Sequence, residues 1–532
     1  MRGFAKRRST GRRLARHRRP ARRRVRRIAE RDPVIRPFDL EPGLDADICV
    51  VVEGCYPHVS GGVSTWVDWL LRNSPSYRFA VTSIVPGHGE RQARYGFPPN
   101  LVRFRELELG KGPAVRSRFR RRPVADIEDL VERLTGFLKT GSLGEFTRLE
   151  ALVNDRERPL SFDDLMRGET GWALCVATYE RLMPHTAFKD FFWAYQALVG
   201  GLFSVLTTPL SHARTYHTIS TGYAGLLAAR AALNGAPNVI LTEHGIYTNE
   251  RRIEILMSEW IGGTIDKGLA DGDGRDDVRD FWVMAFESFA RVCYETCSSI
   301  TTLFGDNQSM QRLLGAEDAR LQVIANGIDV ERFVSIAQPP GDAPPTVSLI
   351  GRVVPIKDIK TFLQASRRIA DAVGSVRILI GGSMDEDPRY ASECQALSAT
   401  LGLGGIVQFL GQVDVRDLVA KTHVAVLTSL SEAQPLTVLE AGAAGRPCVT
   451  TDVGACREMI EVPGAPGGVV TDLLNAEQIA DAVVGLLTDE ARRLAYGRNL
   501  QERVCRLYTS ERSAARYHAL YEPAATVKRR AG

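Results

Sequence analysis

The stretch SEAQPLTVLEAGAAGRPCVTT, Ser431 to Thr451, sets two carboxylates, Glu432 and Glu440, eight positions apart across Pro435. An apolar run from Val424 to Leu427 precedes it and another, Pro447 to Thr451, ends it. The pattern predicts strand, loop, helix, strand, with Pro435 at the first helical position, where a missing N–H costs nothing. Such a loop lies at the carboxyl end of a parallel sheet, where ligands bind and where a helix N-terminus attracts phosphate. The wide spacing and the intervening loop do not define a hydrolytic acid/base pair.

Upstream, GRVVPIK (351 to 357) follows the apolar strand VSLIG and places Arg352 and Lys357 at that strand's carboxyl end. Two cations on one loop fit a diphosphate whose negative charge grows as a bond to it breaks; the plainer reading is a solvated loop. Gly61 and Gly62, between DICVVVEG and TWVDWLLRN, allow a close backbone approach to phosphate or simply make a turn. They do not form the GxGxxG fingerprint, which argues against a nicotinamide or flavin enzyme. His244 ends the strand NVILTEH and faces the same cleft if that strand is parallel. His217, on TYHTIS, is either a second cleft histidine or a satisfied core histidine. Arg251 and Arg252 serve an acceptor or the fold, and Asn326 and Gly327 read as a turn at a domain boundary.

These residues need two scaffolds. Strand, Gly-rich loop and helix from Asp47, then strands at YRFAVTSIVP and LVRFREL, open a doubly wound α/β sheet. A helical, charged segment at about 108–210 interrupts the alternation, which resumes at TYHTIS. GLADGDGRDD (268 to 277) reads as an exposed loop. After the Pro-rich connection SIAQPPGDAPPT (335 to 346), strand and helix alternate strictly as far as AEQIADAVVGLLTD, and a long terminal helix covers about 490–522. The expected organisation is a tail at 1–36 and a Rossmann-like acceptor-side domain at 37–338. A Rossmann-like nucleotide-sugar domain at 339–505 follows, then a terminal helix and tail at 506–532, the helix returning to the first domain. The motifs should meet in the cleft between the two domains.

A chain of 532 residues with 44% hydrophobic content is long enough for about two to four domains with ordinary cores. Residues 1–36 carry fifteen Arg and one Lys against two acids, a net +14; with +5 for the whole chain, −9 remains for the rest. The tail is either an inert extension or a site for an anionic partner, membrane phospholipid before nucleic acid, with no specific nucleic acid expected. It lacks the apolar stretch of a secretory signal, so a cytoplasmic place is expected, with peripheral contact at the inner membrane face through the tail. No run reaches the roughly 18 to 20 apolar residues that span a bilayer. The nearest, residues 187–210, is broken by Lys189 and Asp190 and reads as a core or interfacial helix. Nine scattered cysteines read as reduced and buried; Cys293 and Cys297, at helical spacing, form the one pair that could share a metal.

SGGVS near the first helix, VIANGID (323 to 329), GR with a Lys five residues on, and Glu-x7-Glu followed by an Ala-rich helix and Gly-Arg-Pro together resemble the retaining glycosyltransferases of family 4. EGCYPHVSGGVSTW, LTEHGIYTNERRIEI and SEAQPLTVLEA narrow the resemblance to the cytosolic glycosyltransferases of Pel-type exopolysaccharide systems. It covers about residues 47–522. It implies the GT-B architecture, with two Rossmann-like doubly wound domains facing a cleft and a helical insertion in the first.

It further implies transfer of a sugar, glucose or an N-acetylhexosamine, from a nucleoside diphosphate sugar, UDP-linked, to a growing glycan with retention of configuration. Carried over by position, Glu432 takes donor-sugar hydroxyls and Glu440 the ribose hydroxyls. The N–H groups near Leu436 and Thr437 face the phosphates, and Gly61 and Gly62 join this donor site. Arg352 and Lys357 offset the leaving charge in place of a metal, so neither cofactor nor metal is expected. His244 lies beside the reacting sugar, with His217 and Arg251 as acceptor-side candidates. Polymer export requires membrane-embedded partners. The same fold also serves nucleotide-sugar epimerases, phosphorylases and non-catalytic nucleotide- or glycan-binding regulators.

Overall fold

A computed structural model describes residues 37–39, 45–87, 91–112, 127–257 and 277–522. The first sheet takes strands β1 (Phe38–Asp39), β2 (Ala46–Glu53), β3 (Phe79–Val85), β4 (Leu101–Glu108), β5 (Ala213–Thr218), β6 (Asn238–Glu243), β7 (Ser299–Thr302) and β8 (Leu321–Val323). Their order is β1-β4-β3-β2-β5-β6-β7-β8, with β1 antiparallel to β4 and the rest parallel. Ile48, Cys49, Val50, Val51 and Val52 are all buried, as a parallel strand covered on both faces requires. The two-residue edge strand β1 has too short a pattern to be read from sequence.

The second sheet takes β9 (Thr346–Ile350), β10 (Arg377–Gly381), β11 (Val407–Gly411), β12 (Val424–Leu427), β13 (Cys448–Thr451) and β14 (Gly468–Thr471), all parallel, in the order β11-β10-β9-β12-β13-β14. Strand order reverses once in each sheet, between β2 and β5 and between β9 and β12. At such a reversal the loops leave in opposite directions and open a crevice at the carboxyl edge.

Between β4 and β5 the described residues hold helices Ile127–Thr140, Leu143–Val153, Phe162–Met166, Gly168–Leu182 and Phe188–Thr207. With helix Val278–Thr296 they form the larger core of the first domain, where Phe137, Phe146, Phe191, Phe281 and Phe289 are fully buried. No described helix is long and apolar enough to cross a membrane. Cys293 and Cys297 lie 3.8 Å apart, Sγ to Sγ, and are buried; no described cluster of three His, Cys, Asp or Glu side chains could hold a metal ion. The basic segment 1–36 and loop residues 268–276 lie outside the described residues.

The terminal helix expected over about 490–522 is instead two helices, Glu490–Leu507 and Ser510–Tyr521. The break has a long-range cause. Ile328 N–H donates to Tyr508 O and Ser510 N–H donates to Ile328 O, both at 2.9 Å, so the backbone there pairs with the interdomain connection. Gly327 permits the approach, since a Cβ there would stand 2.2 Å from Thr509 O. Helix Ser510–Tyr521 then packs on the first domain through Ser74–His518 at 2.9 Å, Tyr521–His217 at 2.7 Å and Asn238 Nδ2 donating to Leu520 O at 2.8 Å.

The carboxyl edges of the two sheets meet. Gly305, beyond β7, donates its N–H to Glu458 Oε1 at 2.9 Å, and Asn326, beyond β8, donates its N–H to Gln434 Oε1 at 2.6 Å.

Candidate functional site

The reversal between β9 and β12 brings together two groups that the sequence sets 75 positions apart. Lys357 follows β9 and Glu432 follows β12, and the Lys357 ammonium donates to Glu432 Oε1. Ser429 Oγ donates to the same oxygen at 2.7 Å. The loops are stitched along their backbones: Thr428 Oγ1 donates to Lys357 O at 2.9 Å, and Leu430 N–H donates to Ile356 O at 2.8 Å. A short 3-10 turn, Pro355–Lys357, ends at Asp358 with φ 46°, a left-handed conformation uncommon outside glycine. Asp358 then accepts from Thr361 N–H and starts the helix Ile359–Val373. This bend aims Lys357 across the crevice.

Arg352 stands on the same loop, half exposed and paired with Glu386 beyond β10. The helix after Glu432 is Leu436–Ala443, so Pro435 occupies the capping position in extended conformation (ψ 116°), one place before the helical position expected. No side chain caps this helix, which leaves its first N–H groups, those of Leu436 and Thr437, without a side-chain acceptor. Glu440 lies one turn further in. Burial pushes its carboxyl up to about 7, against the opposing pull of the Arg332 charge, and Asp414 adds to the rise.

On the first domain Gly61 precedes helix Gly62–Arg72. A Cβ at Gly61 or Gly62 meets nothing within 4 Å, so these positions face open space into which a ligand can come against the backbone. His244, immediately after β6, has both ring nitrogens buried and without a hydrogen-bond partner; the ring stands edge-on to Trp66 at 4.8 Å. Burial lowers its pKa to about 4, so the imidazole is neutral at pH 7. An orphaned buried imidazole costs free energy and marks a site candidate.

His217 takes the plainer of its two readings. It is fully buried on β5, bonded to Tyr521 OH at 2.7 Å and Thr242 Oγ1 at 2.8 Å, and burial holds its pKa near 3. It anchors the returning helix instead of facing an acceptor. Arg251 lies on helix Tyr247–Met257, its guanidinium 5.2 Å from the Tyr247 ring centroid and paired with Glu254 at 2.8 Å.

Sequence reasoning passed over Ser429, Gln434 and Glu53. Ser429 and Gln434 flank Glu432 in a loop whose composition is ordinary. Glu53 carried a usable signal, a lone acid closing the otherwise apolar run DICVVVEG.

Residues 46–319 match the family described as a domain of unknown function, DUF3492, over more than half of the chain. The chain belongs to the DUF3492 family. Beyond that region, residues 344–489 match the family described as glycosyl transferases group 1, which contains Arg352, Lys357, Glu432 and Glu440. The chain is 30% identical over 229 residues to N,N'-diacetylbacillosaminyl-diphospho-undecaprenol alpha-1,3-N-acetylgalactosaminyltransferase of Campylobacter jejuni, covering 41% of this chain and 58% of that enzyme. It spans little more than half the length of the curated relatives it matches. In fold it is similar to sucrose-phosphate synthase of Thermosynechococcus elongatus (TM-score 0.53, 17% identity, 89% of this chain and 98% of that one). It is equally similar to Anabaena HepE in complex with UDP (TM-score 0.53, 13% identity, the same coverage). The DUF3492 region and the group 1 region are thus the two α/β domains of a GT-B fold, and the second is a group 1 glycosyltransferase domain.

Proposed function

We propose that this DUF3492 protein is a retaining glycosyltransferase of family 4, PelF-like, that moves a sugar from a UDP-linked donor to a growing exopolysaccharide. The observation that carries the reading is the meeting of Lys357 and Glu432 at the β9–β12 reversal, beside a helix start with no side-chain cap. An ammonium and free N–H groups recognise a diphosphate, and a carboxylate next to them recognises the hydroxyls of the sugar it carries.

In the reaction the bond from C1 of the sugar to the diphosphate oxygen breaks. The acceptor hydroxyl oxygen forms its bond to C1 on the same face, and its proton passes to the departing phosphate. Lys357, Arg352 and the N–H groups of Leu436 and Thr437 take up the growing negative charge, so no divalent ion is required. Glu440 accepts from the ribose. Neutral His244 stands on the opposite wall beside the reacting sugar, and Gly61 and Gly62 admit the phosphates.

The work is done at the cytoplasmic face, with the product handed to a membrane-embedded export complex and residues 1–36 drawn to anionic lipid. Incubation with radiolabelled nucleotide sugars, with and without EDTA, tests the reading. Release of UDP coupled to labelled polymer in both samples supports it. Interconversion of the sugar without polymer indicates an epimerase, and binding without turnover a regulator.

A further inference from the structure

Three loops at the carboxyl edge of the first sheet converge on one carboxylate. Glu53, the last residue of β2, accepts from Tyr247 OH at 2.7 Å, from Ala224 N–H at 3.1 Å and from Ser220 Oγ at 3.3 Å. Ser220 lies in the turn after β5 and Ala224 in the first turn of the helix Tyr223–Leu233 that follows, so these bonds close the β2–β5 reversal; Tyr247 begins the helix after β6. Between β6 and Tyr247 lie only His244, Gly245 and Ile246.

The other end of that turn is fixed as well. Glu243, fully buried at the end of β6, accepts at Oε2 from Tyr294 OH at 2.7 Å and from Gln311 Nε2 at 2.9 Å. His244 has no side-chain hydrogen bond to orient it, so its ring is set by its backbone together with the edge-on packing against Trp66. A ring with no hydrogen bond of its own, packed on one neighbour, stays in place only as far as the anchors on either side of its backbone hold.

We infer that Glu53 is a positioning residue: by holding Tyr247 it fixes the His244 turn, and through it the imidazole, without touching substrate. This rests on the reading that His244 stands beside the reacting sugar. Two of the three donors serve the β5 loop and one serves the His244 turn, which makes the roles separable. Tyr247→Phe removes only the hydroxyl bond to Glu53, while Thr248 Oγ1 keeps its 3.3 Å contact with Thr221 Oγ1 in the β5 loop. Ser220→Ala removes a bond to the same carboxylate from the other loop. Glu53→Asp draws the acceptor back by one methylene and provides a second route to the same loss.

The experiment measures kcat, donor KM, UDP affinity by calorimetry and amide hydrogen exchange over residues 244–247 in the full chain. Tyr247→Phe and Glu53→Asp are expected to lower kcat by about tenfold with UDP affinity unchanged, since a misplacement near 1 Å can cost on the order of 10². Exchange over 244–247 should quicken. Ser220→Ala should stay within about twofold of the parent in kcat, since it leaves the turn tied down. Native kinetics and exchange in Tyr247→Phe overturn the inference, as does an equal loss in Ser220→Ala. If the parent transfers no sugar from any donor, the glycosyltransferase reading falls, and exchange over 244–247 still decides whether Glu53 holds the turn.

Discussion

Lys357 and Glu432 are each other's partners across the β9–β12 reversal, the ammonium on one loop donating to the carboxylate of the other. A diphosphate that takes the ammonium must compete with that carboxylate, and a sugar that takes the carboxylate relieves the competition. Donor binding at such a site is an exchange of partners, and a ligand carrying both a diphosphate and a sugar gains more than one with the diphosphate alone.

Glu432→Gln should therefore separate two quantities. Free UDP is expected to bind roughly two- to fivefold more tightly, the worth of one ion pair of this kind. Sugar transfer should fall by about 10- to 100-fold with the loss of charged hydrogen bonds to the donor. Calorimetric titration with UDP, set beside turnover, checks both; weaker UDP binding would show that Glu432 does not compete for Lys357.

Lys357→Ala and Arg352→Ala address the leaving charge. Each should cut turnover by about 10² or more if it stabilises the departing diphosphate. The half-exposed Arg352 has Glu386 as an alternative partner, so Lys357→Ala is expected to be the more severe. Near-native activity in a variant shown folded by circular dichroism removes that residue from the role.

Glu440 gives a pH signature. Its carboxyl, raised by burial to about 7, binds a proton in the folded chain that the unfolded chain has lost between its ordinary value and 7. Across that window the folded state holds more protons, so its contribution to stability falls as pH rises and stays low above 7. Glu440→Gln should remove the slope, raising the melting temperature by on the order of 2–4 °C at pH 8 and changing it little at pH 4. Thermal unfolding from pH 4 to 8 measures the difference.

His217→Ala tests an anchor. Tyr521 OH and Thr242 Oγ1 lose a buried partner, and a cost of about 2–4 kcal/mol is expected from the unpaired groups and the cavity. Limited proteolysis should cut sooner near Tyr521. Activity per folded molecule should hold, in contrast to His244→Ala, which should lose turnover while keeping its melting temperature.

A chain starting at Pro37 tests the basic segment. With +14 over residues 1–36 the proposed attraction to anionic lipid is electrostatic and should fade with salt, as the screening length shortens to about 8 Å at physiological ionic strength. The shortened chain is expected to keep full activity on soluble donor and acceptor and to sediment less with anionic liposomes at low salt. Equal sedimentation would end the membrane proposal.

What the sequence disclosed follows range. Arg352, Lys357 and Glu432 were legible because each follows closely on an apolar strand, and the periodicity that marks the strand also marks the loop after it; Glu440, inside the helix Leu436–Ala443, showed only through its spacing from Glu432. His217 was ambiguous because the residue that buries it, Tyr521, stands 304 positions away. The helix break at Tyr508 and Thr509 was illegible for the same reason: local pattern favours continuation, and the competing backbone partner is Ile328. Glu53 and Tyr247, 194 positions apart, meet only because β2, β5 and β6 are neighbours, a fact of strand order that no window along the chain contains.

The break at Thr509 has a mechanical meaning. The chain crosses between the domains twice, outward near Ile328 and back near Thr509, and the two crossings are hydrogen-bonded to each other. Two covalent attachments thus act as a single hinge. Rotation about that hinge would keep helix Ser510–Tyr521 on the first domain but would have to part the contacts at the carboxyl edges, Gly305 with Glu458 and Leu303 and Phe304 with the core around Met459.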